Sequence, residues 1–473
     1  MVSDETEEEF GGESRPAKKK PGRPAINYME LADKFFDLYW VKDIGGEQKN
    51  ILIRWGGAFY DWKDGSYRET DLDILDACAI NFLKQTIGAT KNKVSELLFN
   101  LHDKTVLSKA RVLNTWKSDT NELTMQTPLD TIAVNNGLLF FDSQGNPTIH
   151  PHTPDFFSLT KLPYDYDPSA ECPLWEKFVS ECVCGDEGKI RLLKQWAGYL
   201  LMPENIHQRY MLLRGEGATG KSTFCDLMME MLGQINCSGV PIGQIASNFG
   251  LSLTFGKKLN VSGDIEEELN PSAEILIKQW TGDDHMYFNW KYGRNLTAKH
   301  TAKLMITANE VPNLRDKSDG TWRRLIVVLF DRPNFRERDP HLKGRLKTEL
   351  SGILNWALAG KMDLLLQGAF TVPSNCTADG EAIKRAANPA RIFLSDNYGY
   401  DFNRPVGTET SMIYSAYRKW CMVNGYRPLS DGSFGKEVTK EFPKMERKRW
   451  CIDGKRRYTY GGVVQLRARN LGD

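Results

Sequence analysis

Residues 211–232 read MLLRGEGATGKSTFCDLMMEML. Met211, Leu212 and Leu213 form an apolar run of strand type, and Phe224, Leu227, Met228, Met231 and Leu232 recur on one face at helical spacing. Between them stand Gly215, Glu216, Gly217, Ala218, Thr219, Gly220, Lys221, Ser222 and Thr223. Strand, glycine-rich loop and helix are the parts a phosphate chain demands. Glycines let backbone N–H groups converge on phosphate oxygens, and the helix N-terminus adds partial positive charge. Lys221 bridges the β and γ phosphates, and Ser222 holds Mg²⁺. The stretch predicts an α/β core that binds a nucleotide.

A hydrolytic site of this kind also needs an acid for the metal and a polar group that senses the γ-phosphate. Downstream, Leu259 and Val261 make a strand that ends at Asp264, an acid placed to reach Mg²⁺ beside Ser222. Glu266 or Glu267 then orients the attacking water, the alternative being a surface acidic cluster at a helix start. Leu304 to Asn309 is a third apolar run ending in a polar residue, which puts Asn309 at the γ-phosphate unless it caps a turn. Between these runs, Tyr287 to His300 reads as a hairpin with a Gly-containing centre. Lys291 and Arg294 at its tip suit a nucleic-acid backbone and Tyr292 a sugar or base, with Lys299 and His300 following; a solvated surface hairpin is the other reading. Arg323 and Arg324 precede the strand Leu325 to Phe330, where an arginine from a neighbouring subunit would stabilise transition-state charge; structural ion pairing is the alternative.

The whole chain sets the frame. Its 473 residues carry 62 Lys+Arg against 61 Asp+Glu, and mean hydropathy is −0.46. This composition predicts a soluble chain of about three domains. No apolar run approaches the roughly 20 residues of a membrane span, which predicts a protein of the cell interior with no membrane partner. The nine cysteines form no CxxC pair and read as reduced thiols. Residues 381–473 hold 18 Lys+Arg against 10 Asp+Glu, so the C-terminal fifth is the basic end, as expected of a module that meets a polyanion.

Residues 1–25 are acidic, then basic and Gly/Pro-rich, a composition that predicts a disordered arm; Lys18 to Pro24 resemble an AT-hook or serve as a plain basic tail. Residues 26–165 read as an α+β domain, in which Asp71 and Asp73 are expected at a helix start rather than in a metal site. Residues 166–206 read as helical, 207–370 as the ATPase core, 371–390 as a polar linker. In 391–473, two helices and a hairpin turning at Asp453-Gly454 predict a winged helix. Lys436 and Lys440 share a helix face, and Lys448, Arg449, Lys455, Arg456 and Arg457 load the wing, all placed to contact DNA phosphates or a groove, a protein-interaction winged helix being the alternative.

The ordered set GEGATGKST, KLNVSGDIEE, LIKQWTGDDHMYFNWKYGR and KLMITANEVPNLRDKSDGTWRRLIVVLF resembles the superfamily 3 helicases of the AAA+ class, in particular the phage/plasmid and poxvirus-type primase-helicase family. VNNGLLFFDSQG and SLTKLPYDYDPSAECPLWEKFV extend the resemblance upstream, and it covers roughly residues 26–466. It implies an AAA+ P-loop ATPase core, flanked by the N-terminal α+β domain and the winged helix, that forms a homo-hexamer. Such a ring uses ATP and Mg²⁺ to move 3′-to-5′ on single-stranded and forked DNA in replication of a phage, virus or mobile element, alongside a separate primase or polymerase. Lys291 falls on the family's hairpin lysine, Asn309 on its sensor, and Arg324, more than Arg323, on its arginine finger. Relatives often carry Glu at the position of Asp264, which leaves the choice of base open. Many also carry a polymerase-type domain in front, for which the 25-residue arm leaves no room. A nucleotide-switched initiator or loader without processive unwinding is the competing expectation.

Overall fold

The computed structural model describes residues 26–107, 113–117, 130–263, 271–282, 284–291, 293–309, 319–332, 339–386 and 388–466. Asp264, Glu266, Glu267, Tyr292 and the expected N-terminal arm lie outside them. The chain divides into two compact units, one of residues 1–54 and 70–106, the other of residues 55–69 and 107–473. The single domain expected over 26–165 is therefore not one compact body.

In the first unit, helix Tyr28–Trp40 leads into the hairpin Val41–Ile44/Glu47–Asn50, and helices Leu72–Thr86 and Lys91–Thr105 follow. Phe35 packs against Phe82 (5.2 Å between ring centroids). Each helix opens on a side chain that takes an otherwise orphaned N–H. Asp71 accepts from Asp73 N at 3.0 Å, so the acidic pair is a helix cap, as its spacing predicts.

The second unit is a mixed α/β body around a five-stranded parallel sheet. Its strands run in the order Cys237–Ser238, Leu259–Ser262, Lys303–Ala308, Tyr210–Arg214, Leu325–Leu329. Both faces are covered, which is why the inner strands read as continuous apolar runs. Period-2 alternation sorts them: Met211, Leu213, Met305 and Val328 enter one core, and Tyr210, Leu212, Leu304, Ile306 and Val327 the other.

Helices Glu187–Leu201 and Leu350–Gln367 cross at backbone contact. A Cβ on Gly360 would stand 1.9 Å from Lys194 O, and one on Gly198 2.1 Å from Lys361 N. Gly360→Ala gains about 1 kcal/mol of helix propensity. The overlap forces the helices apart at a cost of about 1–3 kcal/mol or more, so destabilisation wins. Thermal melting should show a lowered midpoint for Gly360→Ala and an unchanged or raised one for Gly344→Ala, whose Cβ would meet nothing within 4 Å. Equal midpoints would refute the contact.

The far end of helix Glu187–Leu201 is closed by two buried lysines, one just before strand Leu259–Ser262 and one at the start of strand Lys303–Ala308. Lys258 Nζ donates to Leu201 O (3.3 Å) and Lys303 Nζ to Met202 O (2.7 Å), each placing positive charge on the negative end of the helix dipole. Burial, with Lys361 nearby, pushes Lys258 down to about 8.

The segment 371–390, expected as a linker, is instead mostly helical. Ser374–Ala386 packs over the edge strand Leu325–Leu329 through the buried Cys376, and Pro389–Asn397 follows. Residues 390–463 then build a core of their own around Phe393, Tyr417, Phe434 and Tyr460. It carries helices Thr410–Val423 and Asp431–Glu441 and the hairpin Arg447–Ile452/Lys455–Tyr460. Asp453 (φ 49°) and Gly454 (φ 74°) are both left-handed, the turn that matches strand twist. All nine cysteines are thiols outside any disulfide, and among the described residues no helix is long and apolar enough to cross a membrane.

Candidate functional site

Arg214 pairs with Ala308 across the sheet, so the loop after Arg214 and the residue after Ala308 leave neighbouring strand ends together. This is the carboxyl edge of a parallel sheet, where α/β proteins hold ligands. Lys221, the first residue of helix Lys221–Leu232, is buried with its ammonium turned back into the loop. Its Nζ donates to Gly215 O, to Glu216 O (2.8 Å) and to Asn309 Oδ1 (3.3 Å). The structure thus brings together Lys221 and Asn309, 88 residues apart, as the strand-end reading requires. Thr219 Oγ1 donates to Glu216 O (3.0 Å) and closes the loop, while Glu216, Gly217, Ala218 and Ser222 are exposed. Gly220 has φ +102°, and a Cβ there would overlap Cys182 Sγ at 2.4 Å, so the loop needs glycine at this point.

The loop opens on a cavity of about 460 Å³ lined by Gly217 to Thr223, Thr307, Ala308 and Asn309. A second group, Phe178, Arg332, Asp339, Pro340 and Leu342, completes the lining. That size and a buried ammonium beside a helix N-terminus fit a nucleoside triphosphate. The second group of lining residues was missed in the sequence. Phe178 lies on helix Pro173–Cys182 and Arg332 after the last strand, so no local motif marks them. For Mg²⁺, Ser222 is in place at the loop, and its expected partner Asp264 is outside the described residues.

Arg323 and Arg324 lie at the opposite edge. Tyr210 N donates to Arg324 O (2.9 Å) at the start of the strand whose end carries the loop. That five-residue strand spans roughly 17 Å. Neither arginine faces this chain's own Lys221. Arg324 is half-buried and donates through Nη1 to Gly320 O (2.6 Å), and Arg323 is exposed.

Strands His285–Asn289 and Asn295–Lys299 form the expected antiparallel hairpin, with Lys291 exposed in its turn. Lys299 pairs opposite His285, at the base of the hairpin. Two expected contact residues are corrected. Arg294 is not presented to solvent: its Nη2 donates to Tyr60 Oη (2.7 Å) and Glu69 Oε2 (2.9 Å). His300 is 2% exposed, and its ring packs tilted against Trp280 at 4.1 Å between centroids. Its Nδ1 accepts from Ala302 N (3.1 Å), which leaves Nε2–H to donate to Thr254 Oγ1 (2.7 Å).

Burial, reinforced by Lys303, pushes His300 down to about 3. A folded pKa below the unfolded value means stability is full above about pH 6.5 and lost as pH falls towards 3. A His300→Gln chain should therefore lose less melting temperature than wild type between pH 6.5 and 4. Parallel pH profiles would show the imidazole to be solvated.

At the C-terminal end, Lys436, Lys455 and Arg456 are exposed, as expected of polyanion contacts. Two others are already engaged: Lys440 pairs with the buried Glu437 (2.9 Å) and Arg457 with Glu409 (2.7 Å). Arg447, and Arg449 from the expected wing set, lie against the Tyr458 ring at 5.0 and 5.6 Å.

Comparison with known proteins finds family models that each match a part of the chain. Residues 104–184 match the D5 N terminal like family, 213–324 a family of unknown function (DUF5906), and 389–467 the RFX DNA-binding domain. The chain is 29% identical over 133 residues, 27% of its length, to a protein of Acanthamoeba polyphaga mimivirus that bears a helicase name; the match spans 14% of that protein. DNA-binding protein RFX7 of Xenopus laevis is 39% identical over 59 residues, 12% of this chain and 4% of that one. An apo structure of the NrS-1 C-terminal region shares the fold, with a TM-score of 0.52 at 12% identity over 87% of this chain and 96% of that one.

Proposed function

We propose that the chain is an ATP-driven DNA helicase or translocase of the superfamily 3, AAA+ type, acting in replication of a phage, virus or mobile element. The observation that carries the reading is the buried Lys221 ammonium, held by Gly215 O, Glu216 O and Asn309 Oδ1 at the ends of adjacent parallel strands. Bound ATP would supply the phosphoanhydride whose hydrolysis drives movement. Lys221 and the loop N–H groups bind and neutralise the phosphates, and Asn309 orients water at the γ-phosphate. Ser222 and Asp264 would hold Mg²⁺, and Glu266 or Glu267 would orient the attacking water.

The position of Arg323 and Arg324 across the sheet from Lys221 favours an arginine supplied between subunits of a homo-hexamer, with Arg324 as the finger. Lys291 on the hairpin would hold a DNA strand moving 3′-to-5′, and the C-terminal module, as a winged helix, would grip the duplex through Lys436, Lys455 and Arg456. A match to the RFX DNA-binding domain favours a second reading, a nucleotide-switched initiator or loader that does not unwind processively.

ATP hydrolysis measured with and without single-stranded DNA across a protein concentration series separates the two. Cooperative stimulation by DNA, followed by unwinding of a long forked duplex, supports the helicase. A rate indifferent to DNA and concentration hands the lead to the initiator.

A further inference from the structure

The tip of the His285–Asn289/Asn295–Lys299 hairpin is held by a segment more than two hundred positions earlier in the chain. Strands Ala58–Lys63 and Ser66–Glu69 pair as a hairpin that sets Tyr60 directly opposite Glu69. Both side chains converge on Arg294, 225 residues after Glu69. The guanidinium lies between two rings, with its carbon 4.8 Å from the Trp290 centroid and 5.6 Å from that of Tyr60. Its side chain is 13% exposed, and Nε and Nη1 are buried without hydrogen-bond partners. A guanidinium so placed is anchored by ring faces and one carboxylate, and it cannot reach a phosphate without leaving all three.

The same side of the hairpin is fixed by an aromatic run. Trp55 stacks on Phe255 (6.1 Å), which meets both Phe288 (5.0 Å) and Trp290 (5.2 Å). Backbone bonds from Trp290 N to Arg294 O (3.2 Å) and Gly293 N to Trp290 O (3.0 Å) close the turn that contains Lys291. Anchoring Arg294 therefore fixes the turn. A two-stranded hairpin alone is marginally stable in water, so this outside support decides where Lys291 stands.

We propose that the Ala58–Glu69 hairpin is a cradle for the nucleic-acid hairpin, and that Arg294, through Glu69 and Tyr60, is a positioning residue for Lys291 rather than a DNA contact. This rests on the reading of the hairpin as DNA-facing.

The test uses the full chain and a fluorescent single-stranded oligodeoxynucleotide over a salt series, together with limited trypsin cleavage mapped by mass spectrometry. Glu69→Gln should weaken DNA binding about threefold to tenfold without changing its salt dependence, because no phosphate contact is lost. Lys291→Ala should lower the slope of log affinity against log salt by about 0.7. Cleavage after Lys291 and Arg294 should quicken in Glu69→Gln and Tyr60→Phe, and ATP hydrolysis without DNA should stay at the wild-type rate in both. The conservative Glu69→Asp should keep cleavage slow and most of the DNA affinity.

Tighter DNA binding by Glu69→Gln would mean that Glu69 competes with phosphate for Arg294, and it overturns the proposal. Unchanged binding with unchanged cleavage overturns it as well. A wild-type chain that does not bind single-stranded DNA sinks the DNA-facing reading itself, which is a separate result from a wild type that binds and a Glu69→Gln chain that binds equally well.

Discussion

Lys221→Ala is expected to abolish ATP hydrolysis, with a loss of at least about 10²–10³ in turnover. The ammonium is buried and satisfied by two loop carbonyls and by Asn309. It is thus pre-placed beside the point where phosphate charge would arrive, and it exchanges a loop carbonyl or Asn309 for a phosphate oxygen because all three of its N–H bonds are in use. Its removal takes a positive charge out of a water-poor site and leaves the Gly215 and Glu216 carbonyls facing the phosphates unopposed. Nucleotide affinity should fall together with turnover, as read by a fluorescent ATP analogue and by phosphate release. The helix Lys221–Leu232 keeps its apolar face through Phe224, Leu227, Met228 and Met231, so the far-UV circular dichroism of the variant should match wild type. Hydrolysis at the wild-type rate in a folded Lys221→Ala chain would remove the phosphate site from the reading.

Arg324→Ala should be equally inactive for a different reason, and the two defects should repair each other when mixed. Arg324 sits at the start of the sheet and Lys221 beyond its end, so a site that uses both must draw them from two chains. The loss expected on removing such an arginine is about 10³–10⁵ in rate. In rings assembled from equal amounts of Lys221→Ala and Arg324→Ala, about a quarter of the interfaces join an intact Lys221 to an intact Arg324. The mixture should recover about that share of wild-type hydrolysis, while each variant alone stays silent. A mixture as inactive as its components would place both residues in one chain's site or take Arg324 out of the chemistry. Repeating the experiment with Arg323→Ala tells which of the adjacent arginines is used.

The phosphate loop was legible because every part of it is local: an apolar strand, a glycine run and a helix face lie within 22 positions (211–232). The same holds for the cap at Asp71 and the Asp453-Gly454 turn, where one or two residues dictate the backbone. What could not be read was what each surface lies against. His300 follows a cationic stretch and looks exposed, yet the chain turns it inward onto Trp280 and Thr254. Arg294 carries the charge a phosphate contact needs, and only the fold shows that Glu69 already holds it. The 371–390 segment reads as a linker because it is polar, while its packing rests on isolated residues such as the buried Cys376 and the hydrogen bond from Asn375 to Asp186. Periodicity reports that a face is apolar, and it is silent about a remote partner.

The lysines at the end of helix Glu187–Leu201 also set a clock on synthesis. Lys258 lies 57 residues after the carbonyl it meets and Lys303 101 residues after its own. At about 5–20 residues per second the ribosome delivers the second of them about 5–20 s after Met202. During that interval the helix end waits with its last carbonyls exposed, and a pause in translation between codons 202 and 303 prolongs the wait. Slow codons placed in that window should therefore lower the yield of folded chain more than the same codons placed after residue 303.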